Sequence, residues 1–186
     1  MTDSPTIDPT ERSTAVGSAD PVPVVVSWRS WLVAILVGLG LSLIFWWPLY
    51  SGGGLLGGDI YTYFFPQKAY LSERLAAGEV PLWNNLVGHG YPVVGESQTG
   101  LFYPFHLLYA VLDVSTAYNA VQLGHYLLAF LFAWRLTRQL GPGDVAGWLA
   151  GLVYVYGWFP PRIVLEWAIL GGTWLPAALW VAERFL

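Results

Sequence analysis

The sequence predicts an all-α integral membrane protein with about four transmembrane helices and a large outer loop that contains interfacial helices. Of the 186 residues, 55% are hydrophobic and only 11% are charged, and the mean hydropathy is +0.51. Several apolar runs approach the length of about 20 residues that crosses the hydrocarbon core. Eleven Trp and eleven Tyr residues suit a protein with much surface at the membrane–water interface.

The composition also excludes several classes of protein. A chain with so many hydrophobic and so few charged residues is not an ordinary soluble domain. The formal net charge is -4 and no basic cluster occurs, so no nucleic-acid partner is predicted. The chain has no cysteine, which excludes disulfides and metal sites with cysteine ligands.

Residues 1–27 differ from the rest of the chain. They are rich in Ser, Thr, Pro and Asp and contain no aromatic residue. This composition predicts a disordered tail. The first apolar run begins after this tail and is longer than the core of a signal peptide, so it is interpreted as a retained anchor. Residues 28–186 then form the transmembrane domain.

The apolar runs predict four spans, in order 31–50, 118–136, 145–158 and 163–185. The third is short but can extend through Phe159, and Pro176 interrupts the fourth. The apolar stretch 101–112 is too short to cross alone. It is predicted as a partly buried or re-entrant helix that leads into the second span.

The orientation follows from the Lys and Arg residues near the ends of the spans. With the N-terminus in the cytoplasm, five basic residues lie inside and three lie outside. The inner residues are Arg12, Arg29, Arg135, Arg138 and Arg184, and the outer ones are Lys68, Arg74 and Arg162. The loop 51–117 is therefore predicted to lie outside, and the turn 137–144 inside.

The outer loop is predicted to contain a helix over 66–77, with Pro66 in its first turn and Gly78 just past its end. One face would rest on the bilayer surface and the other would meet headgroups or water. The first face holds Tyr70, Leu71 and Leu75, and the second holds Lys68, Glu73 and Arg74. Residues 81–85 and 88–92 are predicted as turns rather than strands.

Short motifs follow one another through this loop and into the fourth span. They are Gly58-Asp59, Phe65-Pro66, GEVPLWN at 78–84, Gly90-Tyr91-Pro92, QTGLFYP at 98–104 and Trp174-Leu175-Pro176. In this order and spacing they resemble the N-terminal part of the bacterial YfhO-like membrane protein family, which is grouped with the GT-C-type glycosyltransferases. The resemblance covers residues 57–183.

The resemblance implies a multi-pass enzyme of the bacterial cytoplasmic membrane with a GT-C-like fold. Such an enzyme transfers a sugar from a polyprenyl-phosphate carrier to a cell-envelope polymer, lipid or protein on the outer face. Its partners would be membrane lipid, the lipid-linked sugar and that acceptor. Family members are several times longer and have more spans. The chain is therefore expected to be a fragment of a longer enzyme and inactive by itself.

Asp59 is the candidate general base. Glycosyl transfer to a hydroxyl needs a base for the acceptor's proton. The resemblance implies an acidic residue close to the first span, and Asp59 occupies that place, although it lacks the paired acid of many GT-C enzymes. The alternative is that Asp59 caps a helix that begins near Tyr61.

Glu166 is the candidate second carboxylate, which many GT-C enzymes carry in a later outer loop. Arg162 is the candidate partner for the carrier's phosphate. The alternative is a local ion pair, because Glu166 follows Arg162 by four residues. Asp59 and Glu166 could also hold a divalent cation, since hard cations take carboxylate oxygens.

Five loop residues are candidates for binding the substrate. Aromatic side chains can stack on sugar rings, but packing at the membrane interface is the alternative for each of them. The candidates are Trp83, Asn84, Tyr91, Tyr103 and His89. The histidine spacing matches no metal motif.

A non-catalytic membrane module, such as a subunit of a transporter or flippase, is the alternative function. It is motivated by the length of the chain and by Asn119, Gln122 and His125 in the second predicted span. Such residues line a path or join helices by hydrogen bonds, and His125 is expected to join helices.

Overall fold

A computed structural model of the protein describes residues 25–54, 58–96, 98–158 and 166–185. This part of the chain is mostly helical, which confirms the all-α class. The α-helices are α1 (Trp28–Tyr50), α2 (Phe65–Ala76), α3 (Val114–Gln139), α4 (Asp144–Trp158) and α5 (Glu166–Glu183). A π-helical turn (Ile60–Phe64) precedes α2, and a 3-10 helix (Pro104–Ala110) precedes α3.

Helix α1 is the apolar helix predicted as the first span. The Ser27 hydroxyl accepts a hydrogen bond from the Ser30 amide at 3.2 Å and caps its start. Pro48 lies inside the helix, and the backbone at Trp46 leaves helical geometry, because proline removes a donor and clashes with the preceding turn. Among the described residues, α1 is the one helix whose length and composition would let it cross a membrane.

Helix α3 lies at the centre of the described structure. It contacts α1, α4 and α5, and its residues Tyr126, Phe130 and Trp134 are fully buried in the main core. Glycines on α4 allow this close approach: a Cβ atom at Gly147 would lie 2.5 Å from Trp134 Cδ1.

The helices alternate in direction, and hydrogen bonds join their ends. At one end the Asn119 amide donates to the carbonyls of Leu49 at 3.3 Å and Gly53 at 2.7 Å, which joins the start of α3 to the end of α1. At the other end Asp144 accepts from Ser30 and from Trp134 and forms an ion pair with Arg138. The loop that holds α2 follows α1 at the first end, opposite Arg138.

The loop helix α2 begins and ends close to its predicted bounds. The prediction for its two faces was wrong at Leu71 and Lys68, whereas Glu73 is exposed as predicted. Pro66 lies in the first turn, and Gly78 takes a φ of +74° after the last turn. Leu71 is fully buried in a cluster with Tyr109 and Ala117, because α2 packs on the 3-10 helix and on α3. Lys68, predicted to meet headgroups or water, has 0% of its surface exposed.

The two predicted turns are also corrected by the structure. Strand β1 (Trp83–Asn84) pairs antiparallel with β2 (Tyr91–Pro92), with Asn84 opposite Tyr91. Gly90 is needed beside this pair: its φ is +84°, and a Cβ atom there would lie 2.4 Å from Trp83 Nε1. The apolar stretch 101–112 contains the 3-10 helix, with His106 and Tyr109 buried.

Some predictions fall on residues outside the described ranges. They concern most of the tail, residues 1–24, and the segment 159–165 with the start of the fourth predicted span.

Candidate functional site

A cavity of about 520 Å³ lies between the π-helical turn, α2 and the strand pair. Its wall combines aromatic rings, two amides and one carboxylate. The polar or aromatic lining residues are Thr62, Tyr63, Gln67, Tyr70, Asn84, Tyr91 and Glu96. Asn84 and Tyr91 were predicted from the sequence as substrate-binding residues, and the strand register places them opposite each other at this wall.

Hydrogen bonds within the protein hold the wall in place. The Tyr70 hydroxyl donates to the Trp83 carbonyl at 2.8 Å, and the Tyr91 hydroxyl donates to Gln67 Oε1. Asn84 Oδ1 accepts from the Leu86 amide at 2.9 Å. These bonds tie α2 to both strands and connect the walls of the cavity.

Glu96 is held as a carboxylate at the edge of the cavity. Its Oε2 accepts from the Thr99 amide at 2.6 Å and from the Thr99 hydroxyl at 2.7 Å. Burial opposes ionisation of Glu96, but hydrogen bonds from Thr99, Tyr63 and Gln98 outweigh it and lower the pKa. Burial and the neighbouring Glu96 raise the pKa of Tyr63 to about 12, so this phenol stays neutral.

A buried basic pair lies behind the cavity. Lys68 Nζ donates to the Thr99 carbonyl at 2.7 Å and to His106 Nε2 at 3.4 Å. His106 Nδ1–H donates to the Gly100 carbonyl at 2.7 Å, which leaves Nε2 free to accept from Lys68. Burial and the Lys68 charge lower the pKa of His106 to about 3, so the ring is neutral.

Sequence reasoning missed the role of Lys68, although a signal existed. Ile60, Phe64, Leu71 and Leu75 recur at helical spacing, and Lys68 falls on the same face. Gly100 gave a second signal: its φ is +64°, and a Cβ atom there would lie 2.9 Å from His106 Cε1. That close approach needs a glycine.

Tyr103, a predicted substrate-binding residue, connects the loop to two helices. His125 Nδ1–H donates to the Val121 carbonyl at 2.6 Å, so His125 Nε2 accepts from the Tyr103 hydroxyl. Trp174 Nε1 donates to the same hydroxyl oxygen at 2.8 Å. His125 was expected to join helices, and its partner is a loop residue. Tyr103 lies outside the main cavity and lines a more open one of about 370 Å³ that shares Glu96.

The other predicted site residues do not line the main cavity. Asp59 is exposed at the N-cap position of the π-helical turn, and its side chain makes no capping hydrogen bond. Trp83 is 55% exposed and lines a neighbouring pocket beside Arg74 and Glu79. His89 lies exposed in the loop between the strands.

Glu166 and Arg162 were predicted as the second carboxylate and the partner for the phosphate. Arg162 and the side chain of Glu166 lie outside the described residues, although Glu166 begins α5. Within the described ranges, no group of three or more His, Asp or Glu side chains could hold a metal ion.

No protein-family model matches this chain, and neither the curated proteins nor the solved structures contain a significant match. The resemblance to the YfhO-like family therefore rests on the ordered motifs of the sequence.

Proposed function

We propose that the chain is a multi-pass membrane protein whose α1, α3, α4 and α5 cross the bilayer, with the N-terminus in the cytoplasm. Only 22% of an 18-residue apolar stretch of α1 is buried inside the protein, and Ile44 is 76% exposed. Helix α4 carries a second exposed apolar stripe at helical spacing, which is formed by Val145, Leu149 and Val153. Apolar surface of this extent on several helices needs lipid or protein to cover it.

We further propose that the protein is the N-terminal part of a GT-C-type glycosyltransferase that uses a polyprenyl-phosphate sugar. The observation that carries this proposal is the preformed cavity in the loop next to the end of α1. A lipid-linked sugar keeps its chain in the bilayer and presents its head at the surface, where this loop would lie. The order of the loop motifs supports the same function.

In the proposed reaction, the acceptor oxygen bonds to the anomeric carbon as the bond between that carbon and the phosphate oxygen breaks, and a carboxylate takes the proton of the acceptor hydroxyl. Asp59 is the proposed base. Its side chain is exposed and is not committed to a capping hydrogen bond, so an acceptor can reach it. The charge of the leaving phosphate needs a cation, and Arg162 is the proposed partner.

The Asp59→Asn variant tests this assignment. Removal of a general base is expected to reduce transfer about 10²–10⁴-fold. The assay would follow a radiolabelled hexose from undecaprenyl phosphate into the envelope fraction, with the protein as the cell produces it, in native membranes. Glu73→Gln is the matched control, because Glu73 is another exposed carboxylate of the same loop. Unchanged transfer with Asp59→Asn would remove Asp59 from this role.

A non-catalytic module is the second candidate, and the polar side chains of α3 favour it. Asn119 and His125 use their side chains to join α3 to other parts of the chain, as in a structural subunit. Membranes that bind the carrier but transfer no sugar, with either Asp or Asn at position 59, would support this module and contradict the enzyme.

A further inference from the structure

We propose that the cavity between the π-helical turn, α2 and the strand pair binds a neutral, hydroxyl-rich ring such as a pyranose and excludes the carrier's phosphate. This inference deepens the proposed function and rests on it, because it separates the place of the sugar ring from the place of the phosphate. Three properties of the cavity carry it: its size, its charge and the chemistry of its wall.

The size of the cavity suits a small ligand. Its volume of about 520 Å³ lies within the range of pockets that bind small molecules. The hydrogen bonds from Tyr70 to Trp83 and from Tyr91 to Gln67 connect its walls without a ligand. A preformed pocket loses little freedom when a ligand binds.

The charge of the cavity disfavours an anion. Glu96 is the charged residue among those of the described chain that line it, and no Lys or Arg is among them. Lys68 is fully buried behind Thr99, and Arg74 lies in the neighbouring pocket, where it pairs with Glu79 at 3.0 Å. Phosphate recognition depends on such cations, so the phosphate is expected to bind elsewhere.

The chemistry of the wall favours a ring with hydroxyl groups. Three tyrosine side chains line the cavity and give it aromatic surface that suits the C–H side of a sugar, and Gln67 and Asn84 bring amide groups. Both hydrogen bonds from Thr99 go to Glu96 Oε2. Tyr63 and Gln98 also donate hydrogen bonds to Glu96, so the carboxylate holds the Tyr63 hydroxyl at the wall of the cavity.

Direct binding to the purified protein in lipid nanodiscs tests the proposal. The neutral probes are methyl β-D-glucopyranoside and methyl α-D-mannopyranoside, the anionic probe is glucose 1-phosphate, and saturation-transfer NMR gives the affinity. We expect at least one methyl glycoside to bind more tightly than glucose 1-phosphate. Glu96→Gln should weaken glycoside binding about tenfold or more, because it removes the charged acceptor that holds Tyr63 in the cavity wall. Glu73→Gln should leave the affinity unchanged.

A second pair of variants tests the proposal even if Glu96→Gln does not fold. Val87 lines the cavity and is 55% exposed, so Val87→Trp should fill the cavity without disturbing the core. Val94 lies outside the cavity and is 49% exposed, so Val94→Trp is its control. Glycoside binding should be lost with Val87→Trp and kept with Val94→Trp.

Three results would overturn the proposal: no binding of either glycoside, equal or tighter binding of glucose 1-phosphate, or glycoside binding that survives Val87→Trp. The binding experiment and the transfer assay can fail independently of each other. Transfer that depends on Asp59 without glycoside binding would reject the cavity assignment and keep the enzyme. Glycoside binding without transfer would keep the cavity assignment and reject the enzyme.

Discussion

Lys68 shows how a single buried cation can organise the loop. It donates to the carbonyl of Thr99, whose amide and hydroxyl donate in turn to Glu96. The position of the Glu96 carboxylate at the cavity therefore depends on a side chain behind it. A buried lysine is costly unless its donors are satisfied, which explains why His106 takes the tautomer that accepts from it.

The neutral state of His106 has a consequence for stability. Its pKa in the folded protein, about 3, lies below the ordinary value of 6.5. Between these values the unfolded chain binds more protons, so the free energy of unfolding falls as the pH falls from 6.5. Glu96 acts in the same direction, but only below its ordinary value of 4.5. Between pH 6.5 and 4.5, the pH dependence of the free energy of unfolding therefore reflects protonation of histidine.

We expect His106→Gln to flatten the pH dependence in this window. The change in the free energy of unfolding between pH 6.5 and 4.5 should decrease by about 2 kcal/mol, because about one proton is no longer taken up on unfolding. Denaturant unfolding in a mild detergent gives the measurement. His89→Gln is the control, since His89 is exposed. Equal slopes for wild type and His106→Gln would contradict the buried neutral ring.

At the scale of the element, glycine decides how closely α4 packs on α3. Trp134 is fully buried, and its indole N–H donates to Asp144 Oδ1 at 3.2 Å, so the ring cannot move aside freely. Gly151 makes the same kind of approach one turn later, where a Cβ atom would lie 2.7 Å from the Phe130 ring. Two glycines at i and i+4 form the small-residue pattern that lets membrane helices pack closely.

Gly147→Ala is expected to destabilise the protein by about 1–3 kcal/mol, because the added methyl overpacks the contact with Trp134. Thermal unfolding in detergent should show a lower midpoint. Gly124→Ala on α3 is the matched control, because a Cβ atom there would meet nothing within 4 Å. A neutral Gly147→Ala would mean that α4 lies further from α3 than described.

At the scale of the whole molecule, the alternating helices place the loop with the cavity and the Arg138–Asp144 ion pair at opposite ends. The loop with the cavity follows α1 at the end where Asn119 contacts Gly53. The ion pair of Arg138 and Asp144 lies at the other end, with Ser30. In the proposed topology, the cavity faces the outside and the arginines face the cytoplasm.

Cysteine labelling tests this topology, because the chain has no cysteine of its own. Glu79→Cys should react with a membrane-impermeant maleimide on intact cells. Leu140→Cys should react only after permeabilisation, and Leu140 is 61% exposed, so its position is accessible once the reagent enters. Labelling of Leu140→Cys on intact cells would overturn the orientation.

Local signals in the sequence were sufficient to locate the helices. The predicted segments 31–50, 118–136 and 145–158 became Trp28–Tyr50, Val114–Gln139 and Asp144–Trp158. Apolar runs, Pro66 and Gly78 act within a few residues of themselves, so one sequence reveals them. The short strand pair was missed, because each strand has two residues and its partner decides it.

The sequence by itself determined that the chain is apolar and helical and that the loop with the short motifs lies between α1 and α3. Only the tertiary structure decided that Lys68 is buried and that Tyr63, Tyr91 and Glu96 share a cavity. The physical reason is distance along the chain: Lys68 meets a carbonyl 31 residues away, and Tyr91 meets an amide 24 residues away. Helical propensity is local, whereas a cavity exists only where distant segments pack together.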